Sequence, residues 1–223
     1  MSNLIKKYIG TFLIILIISL SAGTVSYGQK INYSEFGIET KDSPLPHGLK
    51  VGDKAPDFTG YDQTGKQVEL KKLLEKGPII LFFYQGNWCP ICNRYLSNYQ
   101  DSLKVITDQG FNVVAITPES IENVENTVKL HKLSFTVIYD CQEKIMKDYD
   151  LMFNVTKAYQ DKVQSKYSVD IAKFNGRDVA HLPVPATYII NKDGFIVAVR
   201  FNPDYKNRAS VRWILKNLGS ALQ

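Results

Sequence analysis

The chain has 223 residues, 44% of them hydrophobic and 22% charged, with a formal net charge of +5 and three cysteines. That balance excludes a disordered or low-complexity chain and a small disulfide-stapled scaffold. Only one stretch approaches the length of a membrane span, so a polytopic membrane protein is excluded as well.

That stretch comes first. Lys6 and Lys7 precede an uncharged run from Tyr8 to Gln29 whose apolar centre is Phe12 to Leu20, followed by small residues up to Gly28. A basic start, a short apolar centre and small residues before a cut describe a secretory signal peptide over residues 1–28, with an uncleaved N-terminal anchor as the alternative. Either way the remainder is expected to be exported, most simply to a periplasm. No cysteine lies near the cut, so a lipoprotein anchor is excluded. Removing residues 1–28 takes away two lysines and no acid, which leaves a net charge of +3. The sequence shows no Lys/Arg stripe with interleaved aromatics, so no nucleic-acid partner is expected.

Residues 29–48 are polar, with Pro44 and Pro46, and predict a flexible leader. Residues 49–223 predict one folded domain. Two short strands, Phe58–Tyr61 and Gln67–Leu70, flank the turn Asp62–Lys66, and a short helix over Leu70–Glu75 closes at Gly77. Pro78–Tyr84 is a continuous apolar run of strand length, as expected of a strand buried on both faces. Helical spacing over Pro90–Asp108 is followed by a strand at Phe111–Thr117, a helix at Ser120–Leu130, a strand at Phe135–Tyr139 and a helix at Gln142–Tyr149. Residues 150–181 read as a mostly helical insert. Ala186–Asn191 and Phe195–Phe201 form a hairpin across Lys192-Asp-Gly, and Ser210–Leu218 is a closing helix. The order predicts an α/β layered domain, a central sheet flanked by helices with parallel central strands. It places Cys89 at the carboxyl end of the first parallel strand, where such folds put their sites.

Chemistry concentrates in Trp88-Cys-Pro-Ile-Cys92. With Pro90 as the first helical residue, Cys89 sits at the helix N-terminus, where unpaired N–H groups and the positive end of the dipole favour a thiolate. Cys92 lies one turn further in and more covered. The pattern is that of a nucleophile, Cys89, and a resolving partner, Cys92. A zinc site needs four ligands, and no second C-x-x-C exists; His47, His131 and His181 are isolated, so no metal is expected. No cofactor is expected beyond a redox-active Cys89–Cys92 disulfide. Trp88 reads as packing or as a contact surface for partners. Cys141 reads as a small buried residue at a helix start, with a distant resolving cysteine as the alternative.

The segments GDKAPDF, FFYQGNWCPIC, LPVPATYIINKDG and FNPDY resemble the peroxiredoxin-like branch of the alkyl hydroperoxide reductase/thiol-specific antioxidant family, over about Val51 to Leu218. The resemblance implies a thioredoxin-like fold. It also implies a cis Val184–Pro185 bond in a loop that faces the dithiol and offers its backbone to a substrate. A typical peroxiredoxin motif laid over this chain puts its peroxidatic cysteine on Cys92, its Thr on Cys89, its Pro on Gln85 and its later Arg on Pro185. Three supporting residues are thus missing, which favours disulfide exchange over efficient peroxide reduction. The alternatives are a thiol-dependent peroxidase with Cys92 peroxidatic and Cys89 resolving, and a non-enzymatic metal-binding or docking module. Thioredoxin's buried acid corresponds to Phe83, so proton transfer must use water or another group, with Glu119 and His181 as candidates against the plainer reading of each as a surface or capping residue. The end segment with Asp204, Tyr205 and Arg208 matches the family without a role. The expected partners are a thiol electron donor, thioredoxin-like or membrane-linked, and a disulfide protein or a peroxide as substrate.

Overall fold

The computed structural model describes residues 31–41 and 43–222; the signal or anchor expected at residues 1–28 lies outside them. Nine strands run β1 Thr59–Asp62, β2 Gln67–Glu69, β3 Ile79–Phe83, β4 Asn112–Thr117, β5 Thr136–Tyr139, β6 Met152–Asn154, β7 His181–Pro183, β8 Ala186–Ile190 and β9 Ile196–Phe201. Seven form one mixed sheet in the order β2-β1-β5-β4-β3-β8-β9. The central strands β3, β4 and β5 are parallel, with Leu81 opposite Val114 and Ala115 opposite Val137. On the other side of β3, strand β8 is antiparallel, with Leu81 opposite Tyr188.

Every residue of β3 is buried, as a strand covered on both faces requires. Alternation sends its side chains to two cores. Ile79, Leu81 and Phe83 pack with Tyr149 and Tyr188 on one face. Ile80 and Phe82, continued by Tyr84, pack on the other face in the layer that also contains Cys89, Cys92 and Leu96. The period of two therefore decides which core receives the dithiol.

Three local expectations differ from the structure. The helix expected over Pro90–Asp108 is two helices, Pro90–Asp101 and Leu103–Thr107, because Ser102 departs from helical geometry at φ −101° and ψ 1°. The insert 150–181 holds the helices Lys157–Tyr167 and Ile171–Phe174, but its ends pair as a separate two-stranded sheet, β6 with β7. No peptide bond among the described residues is cis, so Val184–Pro185 is trans. Only Val184 and Pro185 separate β7 from β8, with no turn between them, and the Val184 N–H donates to the Leu151 carbonyl at 2.8 Å. Trans is the intrinsically favoured state by about 0.5–1 kcal/mol.

The segment expected to be a flexible leader is anchored to the domain at Gly37 and Ile38. A short 3₁₀ turn, Tyr33–Phe36, ends at Gly37, and Ile38 bridges Val155 with only 1% of its surface exposed. The Glu39 N–H donates to Asn154 and the Thr156 N–H to Gly37. Gly37 has φ +81°, and a Cβ there would lie 2.5 Å from Tyr159 Cγ, so glycine is required for this close approach. We predict that Ile38→Ala costs about 2–5 kcal/mol, the usual range for emptying a buried isoleucine site. Urea denaturation checks this; a flexible leader would show no change.

Candidate active site around Cys89 and Cys92

The β3 ladder is extended by one bond, Tyr84 N–H to the Ile116 carbonyl at 3.1 Å, before the chain turns. Gly86 makes the turn at φ +147°, where a Cβ would lie 2.5 Å from the Trp88 indole nitrogen. Cys89 then caps the helix Pro90–Asp101, with Pro90 at its first position. Trp88 is buried and lies against Tyr167, ring centroids 6.4 Å apart, so it packs rather than presenting a partner surface. Both sulfurs lie in the core layer, Cys89 with 4% of its surface exposed and Cys92 with none.

The electrostatics separate the two cysteines. Arg208 Nη2 donates to Cys92 Sγ at 3.2 Å, while its Nε–H donates to the Tyr205 carbonyl at 2.8 Å. The guanidinium also lies over the Tyr95 ring at 5.6 Å. Burial pushes the Cys92 thiol up, but the hydrogen bond from Cys89, the Arg208 charge and the Gln85 N–H together bring it well below its ordinary value. Cys89 moves the other way, because its thiol serves Cys92 as a donor and is itself buried beside that developing charge. The thiolate expected at Cys89 is therefore favoured at Cys92. The helix N-terminus acts on both sulfurs, but the cation touches only Cys92.

Glu119 follows β4 and is buried, with 1% exposed. It accepts the Tyr84 hydroxyl at 2.6 Å, the Asn87 N–H at 2.9 Å, the Thr127 hydroxyl at 3.1 Å and the Thr117 hydroxyl at 3.2 Å. It is neither a surface residue nor a helix cap. It ties the loop that leads to Cys89 to β4 and to the helix Ile121–His131. Burial pushes its carboxyl up to about 7, against the pull of those four donors.

Of the remaining expected residues, Val184 shares the core layer of the two sulfurs, whereas His181 and Cys141 make their contacts elsewhere. His181 contacts both Glu143 carboxylate oxygens at 3.0 Å, so it is committed to that cluster. Val184 is fully buried, its N–H is spent on Leu151, and the neighbouring Pro183 carbonyl accepts Gln85 Nε2 at 3.4 Å. The loop of Val184 and Pro185 thus lies against the residue that begins the dithiol loop, but with its backbone already paired. Cys141 is exposed, not buried. In its turn the buried position is Asp140, which accepts the Met146 N–H at 2.8 Å. Cys141 lines a different cavity, with Asp57, Tyr61 and Tyr139. Among the described residues no group of three or more His, Cys, Asp or Glu side chains is placed to hold a metal ion, and no helix is long and apolar enough to cross a membrane.

Sequence reasoning missed Arg208. It stands 116 residues from Cys92, and no local pattern points to it. The only signal was its place in the segment Asn202-Pro-Asp-Tyr-Lys-Asn-Arg208, which resembles the family without disclosing a role.

A family model described as the AhpC/TSA family matches residues 51–199. Peroxiredoxin Q of Sedum lineare, a chloroplastic protein, is 26% identical over 169 residues, covering 76% of this chain and 77% of its own. The thiol-disulfide oxidoreductase ResA of Bacillus subtilis is 27% identical over 152 residues, covering 68% of this chain and 67% of its own. Among solved structures, the peroxidoxin BcpB of Mycobacterium tuberculosis superposes with a TM-score of 0.60 at 19% identity, over 78% of this chain and 97% of that one.

Two predictions follow from the charges. Arg208→Met should raise the Cys92 thiol pKa by about 1–3 units, the usual effect of losing an opposite charge in contact. Thiolate absorbance at 240 nm against pH measures this, and an unshifted curve would refute the pairing. Glu119 titrates near its ordinary 4.5 in the unfolded chain and near 7 when folded. Between those values the unfolded state gives up its proton first, so stability falls as pH rises and levels off above about 7. Glu119→Gln should lack that decline; a wild-type-minus-variant stability difference that stays constant from pH 4.5 to 8 would contradict it.

Proposed function

The chain belongs to the AhpC/TSA family of thiol-based oxidoreductases, and on that premise we propose that it is a thiol-dependent peroxidase. Cys92 attacks a small hydroperoxide, and Cys89 resolves the product as a Cys89–Cys92 disulfide. The observation that carries this reading is the Arg208 guanidinium 3.2 Å from a fully buried Cys92 sulfur. A donor fixed where charge is held and developed contributes about 3–4 kcal/mol to such a step. The motif arginine that falls on Pro185 is replaced here by one from the segment after β9. The Thr position is occupied by Cys89, whose thiol supplies the hydrogen bond.

The chemistry balances with these groups. The Cys92 thiolate attacks the terminal oxygen of ROOH, an S–O bond forms, the O–O bond breaks and RO⁻ departs. The Cys89 thiol gives its proton to RO⁻, which leaves as ROH. The resulting Cys89 thiolate attacks Cys92–SOH, the disulfide forms, and hydroxide takes a solvent proton to become water. The two cysteines are oxidised by two electrons and the peroxide is reduced by two. The sulfurs are the whole redox group, and no cofactor enters.

Disulfide exchange is the second reading, and it enters as the other half of the cycle. Cys89 caps the helix and keeps the exposed sliver of the pair, so it is the sulfur that a reducing thiol meets. The basic-then-apolar pattern of residues 1–28 supports an exported protein, served by an exported or membrane-linked thiol donor.

Stopped-flow oxidation and trapping test the assignment. The wild type should react with hydrogen peroxide well above the rate of free cysteine. Cys92→Ser should abolish that reaction. Cys89→Ser should keep it but stop at a sulfenic acid that dimedone traps. A wild-type rate no faster than free cysteine, or loss of the peroxide step on Cys89→Ser alone, would overturn the reading.

A further inference from the structure

The helix that carries both sulfurs has a second face. Ile91, Arg94 and Tyr95 form one wall of a cavity of about 760 Å³, and Lys206 and Arg212 stand across it. Ile91, which lies between the two cysteines in sequence, is the lining residue at the N-terminal end of the dithiol helix. Its charge is one-sided: Arg94, Lys206 and Arg212 face a single carboxylate, Asp101. All three cations are exposed. Among the described residues none of them makes an ion pair, whereas Lys72, Lys104, Lys144 and Lys157 each have an acidic partner three or four residues away. Unpaired cations around a concavity concentrate anions there, and the volume is that of a small-molecule site.

We propose that this groove binds the carboxylates of the thiol that reduces the Cys89–Cys92 disulfide, so that the reductant is a small anionic thiol. The inference rests on the peroxidase reading above, which supplies the disulfide. Two features fix where such a thiol reacts. Cys92 has no exposed surface and Cys89 has 4%, so Cys89 is the sulfur under attack and a slim thiol suits it. Cys92 is also the better leaving group, because Arg208 stabilises its thiolate. The thiolate RS⁻ attacks Cys89 Sγ, the S–S bond breaks, and Cys92 leaves as thiolate beside Arg208. A second thiolate then attacks the RS–S–Cys89 bond. RSSR forms, Cys89 takes up a proton, and the two thiols have supplied the two electrons.

The test uses the full chain oxidised with diamide, so that it does not depend on peroxide reactivity. Reduction rates are compared for neutral 2-mercaptoethanol and for mercaptosuccinate, which carries two carboxylates. In Arg94→Glu/Arg212→Glu, the rate ratio of mercaptosuccinate to 2-mercaptoethanol should fall about tenfold at low salt. It should also fall in the wild type on going from about 0.01 M to about 0.15 M salt, as the Debye length shortens from about 30 to about 8 Å. Lys66→Glu/Lys129→Glu, the same change in net charge outside the groove, should leave the ratio as in the wild type. An unchanged ratio in the first variant, or an equal fall in the second, would overturn the proposal. Failure of peroxide to form the disulfide that diamide forms would instead count against the peroxidase reading alone.

Discussion

Cys92 has no surface exposed to water, and a charge without water must be solvated by the protein. Desolvation of a thiolate disfavours ionisation, so an apolar pocket by itself would hold Cys92 neutral and inert. Arg208 reverses that outcome by placing a permanent cation against the sulfur. The cation needs support of its own. Its Nε is held by the Tyr205 carbonyl, and Tyr205 packs edge-on against Phe36 and Tyr159. The segment Tyr33–Ile38 thus lies at the far end of a contact chain that ends on the reacting sulfur. The glycine at position 37, which lets the backbone approach Tyr159, belongs to the same chain of support.

The parts legible in the sequence are those written locally. Pro78–Tyr84 reads as a buried strand because every residue is apolar. Cys89, Pro90 and Cys92 read as a dithiol at a helix start because proline at the first helical position fixes the geometry. The strands β6 and β7 were not legible, since three residues carry no period and each pairs only with the distant other. The same holds for Arg208, whose partner is 116 residues away. The anchoring of the leader was missed because isolated buried residues in a polar stretch, such as Ile38, give no pattern. Cys141 is exposed where burial was expected because the turn geometry, not residue type, decides which side chain faces inward; Asp140 is the buried one, and the helix that follows uses it as acceptor. The proline at 185 carried a family expectation of a cis bond, and the bond is trans.

Glu119 shows how the support continues on the other side of the dithiol. A buried carboxylate with four neutral donors is held in place more firmly than it is neutralised. Its donors come from Tyr84 just after β3, the dithiol loop, β4 and the following helix, so the loop from Tyr84 to Trp88 cannot shift without breaking one of them. The Asn87 carbonyl in turn accepts Asn93 Nδ2 at 2.7 Å, across the first turn of the dithiol helix. The loop is therefore pinned at both ends, which fixes the approach of the chain to the two sulfurs.

The different fates of the two cysteines then follow from position alone. A residue at the N-cap looks outward along the helix axis, and one three residues later looks into the core. Cys92 gains burial and the cation, while Cys89 gains the remaining opening. Buried and paired with Arg208, Cys92 is the sulfur held as thiolate, while Cys89, beside that charge and out of contact with the cation, is held protonated and keeps the small exposed surface of the pair. One helix turn thus gives two neighbouring thiols opposite character, and the side on which Arg208 stands decides which of them carries the charge.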